Sequence, residues 1–132
     1  MRKSAILISG ANGEMGHALI SALHNSNITN IIAMDLNTLD KSISHYCSKQ
    51  IIGNILDEDL IEQLNAEYEF SSIFHLAALL SNKAEFSPQS AHDVNVNGTI
   101  NLLRLALKQG QSQGKLIKIF FPSSIAVYGL KN

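Results

Sequence analysis

Short β-branched runs alternate along this chain with longer segments whose apolar residues recur at helical spacing, the pattern of βαβ units on a shared parallel sheet. Ser4 to Ser9 predicts a first strand. Met15, Leu19, Ile20 and Leu23 then fall at i, i+4, i+5 and i+8, which makes the next segment an amphipathic helix. A second strand is expected over Ile28 to Met34, closing at Asp35, and Leu36 to Ser48 is polar and irregular with room for one short helix. Gln50 to Ile52 reads as a brief third strand. Asp57-Glu58-Asp59 follows it, and acidic groups in a first turn favour a helix, here running to about Ala66 with Asp57 as its cap.

Ser72 to Leu76 predicts a fourth strand that leaves into the small residues Ala77 and Ala78, with Lys83 to Pro88 as loop. From Gln89 to Gln109 the pattern is helical, with one stripe at Val96, Ile100, Leu103 and Leu107 and a second at Leu102, Leu105 and Ala106. Such a helix wants burial on two sides. The glycine-rich turn from Gly110 to Gly114 is expected to end it, and Leu116 to Phe121 forms a fifth strand that runs into Pro122-Ser123-Ser124. The expected fold class is α/β: a Rossmann-type, doubly wound parallel sheet of about five strands in order 3-2-1-4-5, in three α/β/α layers.

Length and composition fit one domain over residues 1–132, since 132 residues that are 45% hydrophobic can bury a single core but leave no room for a second, substrate-binding domain. A net charge of -1 supplies no field for a phosphate backbone, so nucleic acid and anionic membrane are not expected partners. Cys47 stands alone, and the five histidines have no cysteine cluster at zinc-like spacing. A reducing, cytoplasmic setting is the default expectation. The apolar run from Ala5 to Ile8 is too short for a signal peptide or membrane span.

Candidate chemistry starts at Gly10-Ala11-Asn12-Gly13-Glu14-Met15-Gly16, a G-x-x-G-x-x-G turn between first strand and first helix. Gly10 suits a tight strand exit, Gly13 lets a pyrophosphate approach the backbone, and Gly16 allows close helix packing. Asn12, Glu14 and Met15 lie in the same turn, and the pyrophosphate would rest on the helix N-terminus. Glycine turns also occur for packing alone, so the second strand matters. Asp35 closes it 19 residues beyond Gly16, where a carboxylate accepts the adenosine ribose hydroxyls, against the plainer reading of a solvated strand-end aspartate. It would repel a 2'-phosphate, and no arginine follows in Leu36 to Thr38, so NAD is expected over NADP.

These features, with Phe74-His75-Leu76-Ala77-Ala78, Asn95-Val96-Asn97-Gly98-Thr99 and Pro122-Ser123-Ser124-Ile125-Ala126-Val127-Tyr128-Gly129, resemble the extended short-chain dehydrogenase/reductases, the NAD-dependent epimerase/dehydratase family. The likeness spans nearly the whole chain. Within the family it looks similar both to sugar-nucleotide 4-epimerases and to the short-chain type of L-threonine 3-dehydrogenase. The resemblance implies that Glu14 and Met15 offer N–H groups to the pyrophosphate, that Asn54 meets the adenine amine with Ile55 against the ring, and that Leu76, Ala77 and Ala78 line the cofactor. Asn95 would hold the active-site hydrogen-bond network and Ser123 would border the cofactor, while Ser124 would touch the substrate oxygen as the catalytic residue. His75 is expected to be a core histidine.

The family's general acid/base is a tyrosine with a lysine four residues later, on the same helical face. No such pair stands in this chain: Tyr46 and Lys49, like Tyr128 and Lys131, are three apart, and Tyr68 has no following lysine. The expectation is therefore an NAD-binding portion of an oxidoreductase or epimerase, incomplete towards its C-terminus and inactive alone, acting in its whole form on a hydroxyl-bearing small molecule. Two alternatives stay open, a non-catalytic dinucleotide sensor and an interaction scaffold. The doubly apolar helix also predicts a homodimer through residues 89–109.

Overall fold

The computed structural model describes residues 2–77, 87–123 and 129. Five strands form one parallel sheet in the order β3-β2-β1-β4-β5, namely β1 (Lys3–Ser9), β2 (Ile31–Asp35), β3 (Lys49–Ile52), β4 (Tyr68–His75) and β5 (Lys118–Phe120). The expected order and class hold. Helices α1 (Glu14–Asn25) and α2 (Lys41–Ser44) cover one face, where Ile8, Ile31 and Ala33 meet Ile20 and Ile43. Helix α3 (Glu58–Glu67) and the long helix cover the other, where Leu7, Ile32, Met34 and Phe70 meet Leu64, Leu102 and Leu105. Successive strand residues thus alternate between two buried faces, which is why the strands read as nearly continuous apolar runs.

The second strand starts at Ile31 instead of Ile28 because Ile28 is spent on closing α1. Asn27 sits at φ 61°, its N–H donates to the His24 carbonyl, and the Ile28 N–H donates to Leu23. This is a Schellman closure, with Leu23 and Ile28 as its apolar pair. Asp57 caps α3 as expected, accepting from the Leu60 N–H at 3.2 Å. Met15, placed on the apolar stripe of α1, instead stands 57% exposed. It borders an open hollow of about 340 Å³ with Leu19, Phe74, Leu76, Phe120 and Phe121.

The long helix is three pieces: α4 (Pro88–His92), a π turn (Asp93–Asn97) and α5 (Gly98–Gln113). It runs past Gly110 and stops at Gly114, whose φ of 71° makes the left-handed cap, so the expected end at Gln109 falls one turn short. The extra turn has work at the sheet edge. β4 begins at Tyr68, four residues before the expected Ser72, while β5 pairs only with Ser72 to Phe74. The edge of Tyr68 to Phe70 is filled by side chains: Gln109 Oε1 accepts from the Phe70 N–H at 2.8 Å, and its Nε2 donates to the Tyr68 carbonyl at 2.9 Å. Gln113, one turn on, donates to the Phe70 carbonyl at 3.0 Å and to Gln109 Oε1 at 2.7 Å.

Gln109 is fully buried. Replacing it with leucine strands a buried N–H and a buried carbonyl, which should lower unfolding stability by about 3 kcal/mol. Urea denaturation checks this, and a loss below about 1 kcal/mol would show that the stitch is not needed.

Candidate functional site

The C-terminal ends of β1, β2 and β4 gather the predicted residues at the place where the chain turns from one side of the sheet order to the other. Gly10 leaves β1 at φ 66°, and a Cβ there would lie 2.5 Å from the Ala77 nitrogen. Glycine is compulsory at that point. A Cβ on Gly16 would collide with the Ala11 carbonyl, so this glycine serves close packing of α1 on the turn itself. Gly13 is different. Its φ of -77° suits any residue, and its nearest neighbour to a new Cβ is the Gly10 carbonyl at 3.4 Å, an ordinary contact.

Gly13 is the N-cap of α1 and brings no capping side chain, so the first-turn N–H groups of Glu14 and Met15 are left for an acceptor from outside. Gly13, Glu14 and Met15 are all exposed. Asp35 is fixed opposite them. One carboxylate oxygen accepts from the Asn12 N–H and the other from the Asn37 N–H, each at 2.9 Å. A carboxylate offers about four acceptor positions, so each oxygen keeps one for a ligand hydroxyl. The Asn12 side chain adds a clamp: its Oδ1 accepts from the Asp40 N–H at 2.9 Å and lies 3.3 Å from His17 Nε2. Asp40 caps α2 through the Ser42 N–H, and that hydrogen bond is the main cause of a carboxyl pKa below its ordinary value.

The remaining candidates divide. Asn54 is exposed beyond β3, but its Oδ1 accepts from the Leu56 N–H at 2.9 Å. Ile55 is 5% exposed and turned into the core over Gly98, so its side chain supports the loop from below. Leu76 and Ala77 are half-buried beside Gly10; Asn95 sits half-buried in the π turn; Ser123 is exposed beyond β5. Ala78 and Ser124 lie outside the described residues, as do Tyr128 and Lys131. Tyr68 and Tyr46 stand away from this crevice, Tyr68 at the opposite end of β4 and Tyr46 ring-stacked on His24 at 3.8 Å.

Three polar residues here were not singled out from sequence as parts of one unit. Ser9 and His75 are fully buried, Ser9 Oγ lies 2.7 Å from His75 Nδ1, and His75 Nε2 lies 2.9 Å from Thr99 Oγ1. Burial pushes the His75 pKa below its ordinary value, so the ring is neutral near pH 7. No sequence spacing links residues 9, 75 and 99, because the β1–β4 register sets Ser9 beside His75 and the docking of α5 on the sheet brings Thr99 to them.

Comparison with known proteins fits this geometry. The profile of the NAD dependent epimerase/dehydratase family matches residues 6–132, nearly the whole chain. The chain belongs to this family. An uncharacterized epimerase/dehydratase of Staphylococcus aureus (strain USA300) is 31% identical over 125 residues, 94% of this chain and 37% of that protein. Among solved structures, a monomeric L-threonine 3-dehydrogenase from a metagenome, in its apo form, is 37% identical with a TM-score of 0.78, covering 94% of this chain and 37% of that one. A GalE-like L-threonine dehydrogenase from Cupriavidus necator, in its holo form, is 31% identical with a TM-score of 0.76, covering 92% and 38%. This epimerase/dehydratase-family chain therefore spans a little over a third of the length of these relatives. Among the described residues no helix is long and apolar enough to cross a membrane.

Proposed function

We propose that this chain is the NAD-binding portion of an oxidoreductase or epimerase that acts on a hydroxyl-bearing small molecule. The observation that carries the reading is the Asp35 carboxylate, held by two backbone N–H groups with one acceptor position left on each oxygen, opposite an uncapped helix N-terminus. The ribose hydroxyls fit the first and a pyrophosphate fits the second. Bound there, the nicotinamide would supply a hydride acceptor. Glu14 and Met15 would hold the phosphates by backbone N–H, Leu76, Ala77 and Ala78 would shape the pocket, and Ser123 and Ser124 would flank the reacting end. Asn54 would border the adenine. Among hydroxyl substrates, L-threonine or a similar amino alcohol is favoured by the threonine dehydrogenases that the chain resembles.

NAD is preferred to NADP because the Asp35 charge repels a 2'-phosphate. Calorimetry should find NAD bound at least about tenfold more tightly than NADP, and Asp35→Ala should weaken NAD about tenfold, as expected for a hydrogen bond to a charged group. Unchanged NAD affinity in that variant would sink the ribose assignment. Binding without any turnover in the full-length gene product would favour a dinucleotide sensor.

A homodimer through the long helix belongs to the same reading. Leu102 and Leu105 face the sheet, while Val96, Ile100, Leu103 and Leu107 remain 39–63% exposed in one stripe. Sedimentation should show a dimer that Leu103→Glu dissociates. A monomer at working concentration would end this proposal, and one of the threonine dehydrogenases it resembles is itself monomeric.

A further inference from the structure

The hydrogens of the Ser9–His75–Thr99 chain can be assigned one by one. Thr99 Oγ1 donates to the Asn95 carbonyl at 2.7 Å, so its single hydrogen is used and it can only accept from His75. His75 therefore carries its proton on Nε2, and Nδ1 presents a lone pair. Ser9 must then donate to Nδ1, which turns the lone pairs of its Oγ towards the Leu76 N–H at 3.2 Å and the Ala77 N–H at 3.3 Å. Leu76 has a second acceptor in the Ser9 carbonyl at 3.0 Å, whereas the Ser9 hydroxyl is the acceptor that the structure shows for Ala77.

Ala77 is also the residue against which Gly10 closes, its nitrogen 2.5 Å from where a Gly10 Cβ would stand. We propose that His75 is a positioning residue of the dinucleotide crevice: by fixing the Ser9 hydroxyl it sets the spacing between the Gly10 turn and the Leu76–Ala77 exit. Through Thr99 it ties both to the π turn that carries Asn95. This deepens the dinucleotide reading and rests on it. His75 touches neither cofactor nor substrate, and acts through Ser9 and Thr99.

Two substitutions separate the arms. His75→Asn can place an acceptor where Nδ1 stands and keep the Ser9 bond, while His75→Gln can place a donor where Nε2 stands and keep only the Thr99 bond. Amide hydrogen exchange at Ala77 and calorimetric titration with NAD should be measured on the wild type and both variants. His75→Asn should keep Ala77 protection and NAD affinity within about twofold of wild type, and His75→Gln should lose about tenfold in each, the equivalent of one net hydrogen bond. A merely structural histidine would lower both melting temperatures without separating the two at Ala77, and that result overturns the proposal. If Ala77 exchange separates the variants but the wild type binds no NAD, the clamp stands and the dinucleotide reading fails.

Discussion

Gly13→Val is expected to weaken NAD binding about 100-fold, roughly 2.7 kcal/mol, while leaving the unfolding curve of the chain nearly in place. Gly13 touches little in the fold. Its backbone is extended, with φ -77° and ψ 173°, and a Cβ would meet only the Gly10 carbonyl at 3.4 Å. A branched side chain is therefore tolerated by the fold, at a cost within about 1 kcal/mol for a poorer N-cap. Toward the exposed side, however, the same side chain fills the space through which a pyrophosphate must reach the Glu14 and Met15 N–H groups. Calorimetric titration paired with urea denaturation reads both quantities. Undiminished affinity would mean that this glycine has no ligand to make room for.

Gly10→Ala should do the opposite and remove the fold itself, with a stability loss of about 4 kcal/mol or more. A left-handed φ of 66° costs an L-residue about 1 kcal/mol. The larger part is collision, because the new methyl would lie 2.5 Å from the Ala77 nitrogen and 2.7 Å from both Ala77 Cα and the Leu76 carbonyl carbon. These are backbone atoms of the β4 exit, tied to Ser9 by hydrogen bonds, and they can yield only if β1 and β4 part. A domain with typical stability of about 5–15 kcal/mol would be left marginal. Gly114→Ala is the internal control, since φ there is 71° but nothing lies within 4 Å of the new methyl. A similar, small loss at both positions would show that the Gly10–Ala77 approach is not a constraint.

Element order, sheet order and the place of the glycine turn were legible because each rests on local chemistry. Periodicity marks strand and helix, Asp57 before an acidic turn marks a cap, and glycines followed 19 residues later by Asp35 mark a crevice. Boundaries failed where hydrogen bonds outside the periodic pattern decided them, in one case local and in the other distant. Ile28 is β-branched and reads as strand, yet Leu23 and the left-handed Asn27 claim it for a helix end. Tyr68 to Phe70 and the last turn of α5 depend on each other through Gln109 and Gln113, about 40 residues apart, and neither half of that bargain shows in its own segment.

The site followed the same division. Spacing put Asp35 at the end of β2 and Gly13 at the head of α1, where they stand, but Ile55 went into the core because Gly98 leaves a notch for it, something visible only after the helix is docked. His75 read correctly as a core histidine. What could not be read was which hydroxyls it joins, since β1 and β4 register brings Ser9 beside it, while Thr99 reaches it from the helix layer.

On the proposed reading, the glycine turn and Asp35 form a single dinucleotide site. Mapping the backbone amide resonances of the chain during titration with NAD tests it most directly, because each amide reports its own position. Saturable shifts are expected at Gly13, Glu14 and Met15, with a second group at Asn12, Asp35 and Asn37 that diminishes when NADP replaces NAD. A single dinucleotide site would be contradicted if the folded chain showed no shifts at saturating NAD, or if they centred on the groove between α3 and α5 at Glu58, Asn65, Asn101 and Lys108.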